Sequence, residues 1–138
     1  MITKKDLETL SETRLDDSVQ LFQIARYSAA YYLSGYAIEL GIKACIAGLF
    51  QANTIPEKSF VNAVYSHRLD ELLGLTGIKR EFQDDMKNDP ALSAAWGVAS
   101  KWTETSRYSM WDQFAAASMI DAVGDQQHGV LQWLKKHW

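Results

Sequence analysis

The sequence RYSAAYYLSGYAIELGIKACIAGLF, which runs from Arg26 to Phe50, decides the fold of this chain. Nearly all of its residues are apolar or small, and they fall on every side of a 3.6-residue helical wheel. A helix of this composition is covered by protein on most of its faces, so we expect it at the centre of a helical bundle. Glu39 and Lys43 are the charged exceptions, and their spacing of one helical turn, with the glutamate first, predicts an ion pair.

Length and composition predict one domain over residues 1–138 and a cytoplasmic location. A chain of 138 residues can bury a proper core without disulfides, and the single cysteine, Cys45, is expected to be a small buried hydrophobe. A membrane span is disfavoured because Glu39 and Lys43 would be costly in lipid. The charge-rich first twenty residues do not resemble an export leader. The net charge of −3 means that any phosphate binding must come from a local cluster.

The rest of the sequence predicts an all-α fold, since no alternating apolar and polar run is long enough for a strand. Thr3 and Asp6 form a capping-box pattern that opens a first helix over roughly residues 4 to 24. The central helix is the second one, and we expect it to end near Gln51 or Ala52, before a loop containing Pro56.

Four further segments complete the predicted bundle. Ser66 is expected to cap a short helix that Gly77 stops. In the next predicted helix, apolar residues recur at every fourth position. Asp89 is then expected to cap a further helix, which begins at Pro90. The apolar residues of these two helices are Ile78, Phe82 and Met86 in the first, and Leu92, Ala95, Trp96, Ala99 and Trp102 in the second. A capping box formed by Ser109 and Asp112 then opens one long last helix, whose apolar stripe is Trp111, Ala115, Met119, Ala122, Val130 and Leu134.

The segment GYAIELGIKA, from Gly35 to Ala44, resembles the second-helix signature of HEPN domains. The charged first helix, the segment His67-x-Leu69-x-x-Leu72-Leu73, and Trp102 followed after four residues by Arg107-Tyr108 come in the order that family uses. The resemblance implies an up-down bundle of four or five helices that is usually a dimer. It also implies a link to RNA cleavage, nucleotide binding, toxin–antitoxin systems and phage defence.

The resemblance fails at one residue of the family's nuclease motif. HEPN nucleases use an arginine and a histidine with four to six residues between them, and here Arg107 is followed at those distances by Asp112, Gln113 and Phe114. Metal-free cleavage through the ribose 2′-OH needs a group that exchanges a proton near neutral pH. An aspartate with an ordinary pKa of about 4 does not supply this, and Asp112 is expected to cap the last helix. We therefore expect no complete nuclease pair.

Several residues remain candidates for binding or chemistry. The candidates for anion or RNA binding are Arg107, Tyr108, Lys43 and Arg26, and those for a non-standard catalytic site are Arg107, Glu39, Tyr108, Asp112 and His67. Each has a structural alternative. Arg107 could instead pair with Glu39 or a cap carboxylate, and Glu39 could either pair with Lys43 or orient Arg107. His67 is expected in the first turn of its helix, as a cap or packing contact.

The sequence contains no clear motif for a metal or cofactor site. The three histidines lack a metal-ligand spacing, and the pairs Asp121–Asp125 and Glu81–Asp85 are expected to be solvated acidic faces. Two aromatic clusters could stack bases or pack in the core or a dimer. They are Tyr27, Tyr31, Tyr32 and Tyr36, and Trp96, Trp102, Tyr108 and Trp111. No metal or other cofactor is predicted.

The sequence therefore predicts a HEPN-like protein that binds RNA, a nucleotide or a partner protein in a prokaryotic defence or toxin–antitoxin context. One alternative is a metal-independent ribonuclease toxin that uses Arg107 with a non-standard partner. The other is a non-catalytic structural subunit of a defence complex. The expected partners are a second copy of the chain and either a separate nucleotidyltransferase or another defence protein. No association with a membrane is expected.

Overall fold

The helix that the opening sequence predicts is the buried axis of the molecule. In the computed structural model, which describes all residues from Met1 to Trp138, this helix is α2. Ala30, Ala37, Ile38, Ile42 and Ile46, which face different directions around it, are completely inaccessible to solvent. Helices from both ends of the chain pack against α2, so its prediction as the central helix is confirmed.

The fold is entirely helical, as predicted, with eight α-helices, one 3-10 helix and no strand. The α-helices are α1 (Lys4–Gln23), α2 (Tyr27–Ala47), α3 (Lys58–Val64), α4 (Leu69–Leu75), α5 (Lys79–Asn88), α6 (Pro90–Ala99), α7 (Gln113–Gly124) and α8 (Val130–Lys135). The 3-10 helix, Glu104–Tyr108, lies between α6 and α7. None of the helices combines the length and apolar composition that a bilayer span requires.

Capping residues set several helix ends as the sequence predicts. The side chain of Thr3 accepts a hydrogen bond from the Asp6 amide at 3.1 Å, and the carboxylate of Asp6 accepts one from the Thr3 amide at 2.9 Å. Asp89 accepts from the Leu92 amide at 3.1 Å, directly before Pro90 at the first position of α6. Gly77 has a φ of +77°, the left-handed conformation that follows a helix end.

Two predicted boundaries after α2 are wrong. The helix ends at Ala47 with Gly48 as its C-cap. The sequence predicted a later end because the apolar run continues past Gly48 to Phe50. The segment after the loop forms α3, which the sequence did not predict. The prediction that Ser66 caps this helix is wrong, because Arg68 is the N-cap of α4 and the Ser66 hydroxyl accepts from the Arg68 amide at 3.1 Å, before α4 begins.

The predicted long last helix is two helices, α7 and α8. The carboxylate of Asp125 accepts from the amides of Gln127 and His128 at 3.1 and 2.7 Å, and this turn competes successfully with continued helix. Asp112 alone caps α7, by accepting from the Ala115 amide at 2.8 Å. Trp102 and Trp111 lie outside α6 and α7, although the sequence predicted them inside.

Candidate functional site

Glu39 is the most deeply buried charged residue of α2, with 2% of its surface exposed. Its Oε1 accepts a hydrogen bond from Lys43 Nζ at 2.9 Å, so the predicted ion pair is confirmed. The same oxygen lies 2.9 Å from Nδ1 of His67, a contact that the sequence did not predict. The second oxygen, Oε2, is buried and has no hydrogen-bond partner. An ionised carboxylate accepts only, so the Nδ1–H of His67 is the donor in this contact.

His67 connects α2 to the 3-10 helix. It lies before α4, in the connection from α3, rather than in the first turn of α4 as predicted. Its Nε2 is 3.3 Å from Oε2 of Glu104, a residue of the 3-10 helix. The imidazole therefore lies between a buried and a partly exposed carboxylate, which fixes the orientation of the ring.

Glu39, Lys43 and His67 are among the residues that line a cleft with a volume of about 470 Å³. Most of its walls are apolar side chains from α1, α2 and α3. On α2 the lining residues recur on a single face, namely Tyr36, Glu39, Leu40, Lys43 and Ala47. α3 contributes Val61 and Val64 to the lining, and none of its residues is fully buried.

Arg107 lies on the 3-10 helix with its side chain exposed. Its guanidinium carbon is 4.9 Å from the ring centroid of Tyr108, which is itself 77% exposed. No carboxylate oxygen lies within 4.0 Å of this guanidinium, so the alternative in which Arg107 pairs with Glu39 or a cap carboxylate is wrong. Hydrogen bonding with Tyr108, and then with Tyr32, raises the pKa of Arg107. The residue is a permanent, unpaired cation beside an aromatic face.

The other candidate residues do not join Arg107 in one site. Arg26 is exposed and precedes α2 without capping it. Lys43 is 17 residues further on, about 25 Å along the helix axis, and points into the cleft. Asp112 is occupied as the cap of α7. The predicted set of four binding residues is therefore divided among three places.

Part of each predicted aromatic cluster packs against the other, whereas Tyr27 and Trp96 contact Phe22 and Phe82 instead. Tyr31 stacks on Trp111 with ring centroids 3.8 Å apart, and Tyr32 lies 5.6 Å from Trp102. Trp102 also donates from Nε1 to the Tyr32 carbonyl at 3.0 Å. These contacts hold the segment that carries the 3-10 helix against α2, and they use the rings for packing. Tyr108 is the member of the clusters that remains largely exposed.

The remaining polar candidates have structural partners. Asp85 accepts from Nε1 of Trp133 at 2.7 Å, and Asp125 forms the turn between α7 and α8. No three His, Cys, Asp or Glu side chains converge as a metal-binding group. Cys45 is buried, which raises the pKa of its thiol to about 11.

No protein-family model matches this chain, and neither does a curated protein or a solved structure. Functional inference therefore depends on the residues themselves.

Sequence reasoning missed the group formed by Glu39, His67 and Glu104. One signal for it was present, because a carboxylate inside so apolar a helix requires hydrogen-bond donors. Nothing in the local sequence indicated which donor, since His67 is 28 residues away.

Proposed function

We propose that this protein is a HEPN-like RNA-binding protein whose contact surface is formed by Arg107 and Tyr108. The observation that carries the proposal is the exposed guanidinium of Arg107, which has no ion pair and lies over an exposed tyrosine ring. A free guanidinium binds phosphate with two parallel hydrogen bonds. An exposed aromatic ring beside it stacks an unpaired base.

The resemblance in GYAIELGIKA supports the same proposal. Under it, α2 corresponds to the second helix of a HEPN up-down bundle, and Arg107 corresponds to the arginine of the family's nuclease motif. The position of the motif's histidine is occupied by Asp112, Gln113 or Phe114, so the proposed role is binding in a prokaryotic defence or toxin–antitoxin context. The overall charge of −3 limits the binding to this local surface.

A homodimer is part of the proposal. Met110 and Phe114 are 95% and 80% exposed and follow Arg107 closely in the chain. Large apolar side chains exposed in this way are typical of surfaces that a partner covers. A second copy seated there would join two Arg107 residues in one RNA-binding surface, as the family's dimers do. A separate nucleotidyltransferase or other defence protein is the alternative occupant.

The test is fluorescence anisotropy with a labelled single-stranded RNA, repeated over a range of salt concentrations. Arg107→Ala is expected to weaken binding about tenfold or more, since it removes hydrogen bonds to a charged group. The slope of log K against log salt should become shallower by about 0.7 for the one phosphate lost. Arg80→Ala is the matched control, because Arg80 is also exposed and unpaired but lies on α5.

Equal affinities for the Arg107 and Arg80 variants, or no binding by the native protein, would contradict the proposal. The second result would favour the structural-subunit alternative if the protein copurified with a defence protein.

A metal-independent ribonuclease is the second candidate, and the position of His67 favours it. Glu39 holds Nδ1 of the imidazole, as a carboxylate does when it orients a histidine for proton transfer. Nε2 is shielded by Glu104, so this role requires Glu104 to move when RNA binds. If the RNA in the binding assay is cleaved in the presence of EDTA, and cleavage is lost in both Arg107→Ala and His67→Ala, this candidate replaces the first.

A further inference from the structure

The cleft lined by α1, α2 and α3 contains a buried oxygen atom that the protein leaves without a hydrogen bond. Lys43 Nζ and His67 Nδ1 both lie 2.9 Å from Oε1 of Glu39, whereas Oε2 of the same carboxylate has no partner. A buried acceptor without a donor carries the full cost of its lost hydration. A donor that binds in the cleft and reaches Oε2 would therefore be stabilised there.

The side chains around Glu39 do not supply that donor. Lys43 is already engaged with Oε1, and the second ring nitrogen of His67 lies 3.3 Å from Oε2 of Glu104. The missing donor therefore has to come from outside the chain. It is expected to be neutral, because a cationic ligand would meet the ammonium of Lys43 beside the same carboxylate.

The rest of the cleft is suited to an apolar body. Its volume of about 470 Å³ lies within the range of ligand pockets, about 300–1,000 Å³. Nine of its thirteen lining residues are hydrophobic, including the aromatic side chains of Tyr36, Phe50 and Tyr65. Aromatic walls of this kind favour a ring, which packs on them by stacking or by edge-to-face contact. Glu39 is the only acidic residue of the lining, so one position in the cleft selects for a donor.

From the free oxygen and the apolar walls, we infer that the cleft binds a small, neutral aromatic molecule with an N–H or O–H group that donates to Oε2 of Glu39. The ring packs against the apolar side chains, and the donor completes the hydrogen bonding of the carboxylate. Because Oε2 is buried, the donor has to belong to the ring edge or to a short substituent. A carboxylate in this position would face Glu39 with like charge.

The inference is tested by titrating the ¹⁵N-labelled protein with indole and with benzofuran and following the amide resonances by NMR. The two compounds have nearly the same size and shape, but the N–H donor of indole is replaced by an oxygen acceptor in benzofuran. Indole should bind about tenfold or more tightly, because a hydrogen bond to a charged group is stronger than one to a neutral group. A second pair, 2-naphthol and 2-methylnaphthalene, replaces a hydroxyl donor by a methyl group of similar size.

Equal binding within both pairs would contradict the inference, since it would show that Oε2 is not used, as when a trapped water satisfies it. No binding of any of the four compounds would overturn the site. Glu39→Gln keeps the shape of the side chain and removes its charge, so the preference for indole over benzofuran should fall to about threefold or less. An unchanged preference in this variant would also contradict the inference.

A variant of α3 locates the site and does not depend on whether Glu39→Gln folds. Val61 lines the cleft, so Val61→Trp should fill it and abolish indole binding while circular dichroism stays native. Asn62→Trp is the matched control, because Asn62 is the next residue of α3 but is exposed and does not line the cleft. Equal binding of indole by the two variants would contradict the inference. Arg107 and Tyr108 do not line the cleft, so this outcome is independent of the RNA-binding experiment.

Discussion

Gly35 determines how closely the segment after α6 approaches α2. A Cβ atom at this position would overlap the indole ring of Trp102, which is 2% exposed and donates to the Tyr32 carbonyl. The missing side chain therefore lets a tryptophan pack directly on the helix backbone. Because Trp102 immediately precedes the turn into the 3-10 helix, this contact also positions Arg107.

Gly35→Ala is expected to destabilise the protein by about 1–3 kcal/mol, the usual cost of adding a methyl group to a packed core. Gly97→Ala is the matched control, since Gly97 is also helical but has open space around the site of a Cβ. That control should be neutral or stabilising by up to about 1 kcal/mol, the helix preference of alanine over glycine. Urea unfolding measures both. Equal stabilities of the two variants would show that Trp102 does not pack on Gly35.

The candidate site shows which residue-scale features can be predicted from sequence. The ion pair of Glu39 with Lys43 was predictable because both residues lie on one helix at a fixed spacing. The contact with His67 was not, since it joins residues whose separation depends on how α3 and α4 fold back onto α2. The sequence also did not decide whether Arg107 forms an ion pair, because it contains several carboxylates that could pair with Arg107 and does not show which of them lies near it.

Asp89 links the start of α6 to the turn between α7 and α8. One carboxylate oxygen caps α6, and the other lies 2.8 Å from Nδ1 of His128. The hydrogen bond with His128, followed by the bond from the Leu92 amide, lowers the pKa of Asp89 below its ordinary value of 3.8. Its ionised form therefore favours the folded state. That contribution is present above pH 3.8 and is lost as the pH falls through the lower pKa of the folded protein.

Asp89→Asn should lower stability at about pH 6, and the difference from the native protein should become smaller at about pH 3, below the ordinary pKa of 3.8, because the unfolded state then binds a proton more readily than the folded state. The asparagine can still cap α6, so the variant isolates the charge. Asp16→Asn is the control, because Asp16 is exposed and has no ion pair. The measurement is the urea midpoint at both pH values. A difference of unchanged size at acidic pH would assign the effect to packing rather than to charge.

Helix ends were predictable from sequence where a capping residue marked them. Thr3, Asp89 and Asp112 cap their helices through side-chain hydrogen bonds, and each pattern is local. The end of α2 and the break between α7 and α8 were not predicted. In both places an apolar pattern runs past the true boundary, and the stop comes from Gly48 or from the turn made by Asp125, whose residue types also occur within helices.

On the scale of the whole molecule, a mildly acidic protein presents one unpaired arginine beside an exposed aromatic ring. Rings of the two aromatic clusters are used for packing, as in the stack of Tyr31 on Trp111. The carboxylate of Glu39 accepts hydrogen bonds from Lys43 and His67. Arg107 is therefore left without a carboxylate partner. The all-helical architecture followed from the composition of α2, whereas this division between occupied and free charges required the three-dimensional arrangement.

The central claim is that RNA contacts the surface formed by Arg107 and Tyr108. The most direct measurement is photocrosslinking of a 4-thiouridine-labelled single-stranded RNA to the native protein, followed by mass spectrometry of tryptic peptides. Because trypsin cleaves after Arg107 and next after Lys135, we predict crosslinks on the peptide from Tyr108 to Lys135, centred on Tyr108. In Arg107→Ala the corresponding tryptic peptide runs from Trp102 to Lys135, and its crosslinks should be reduced. Crosslinks confined to other peptides, or unaffected by Arg107→Ala, would contradict it.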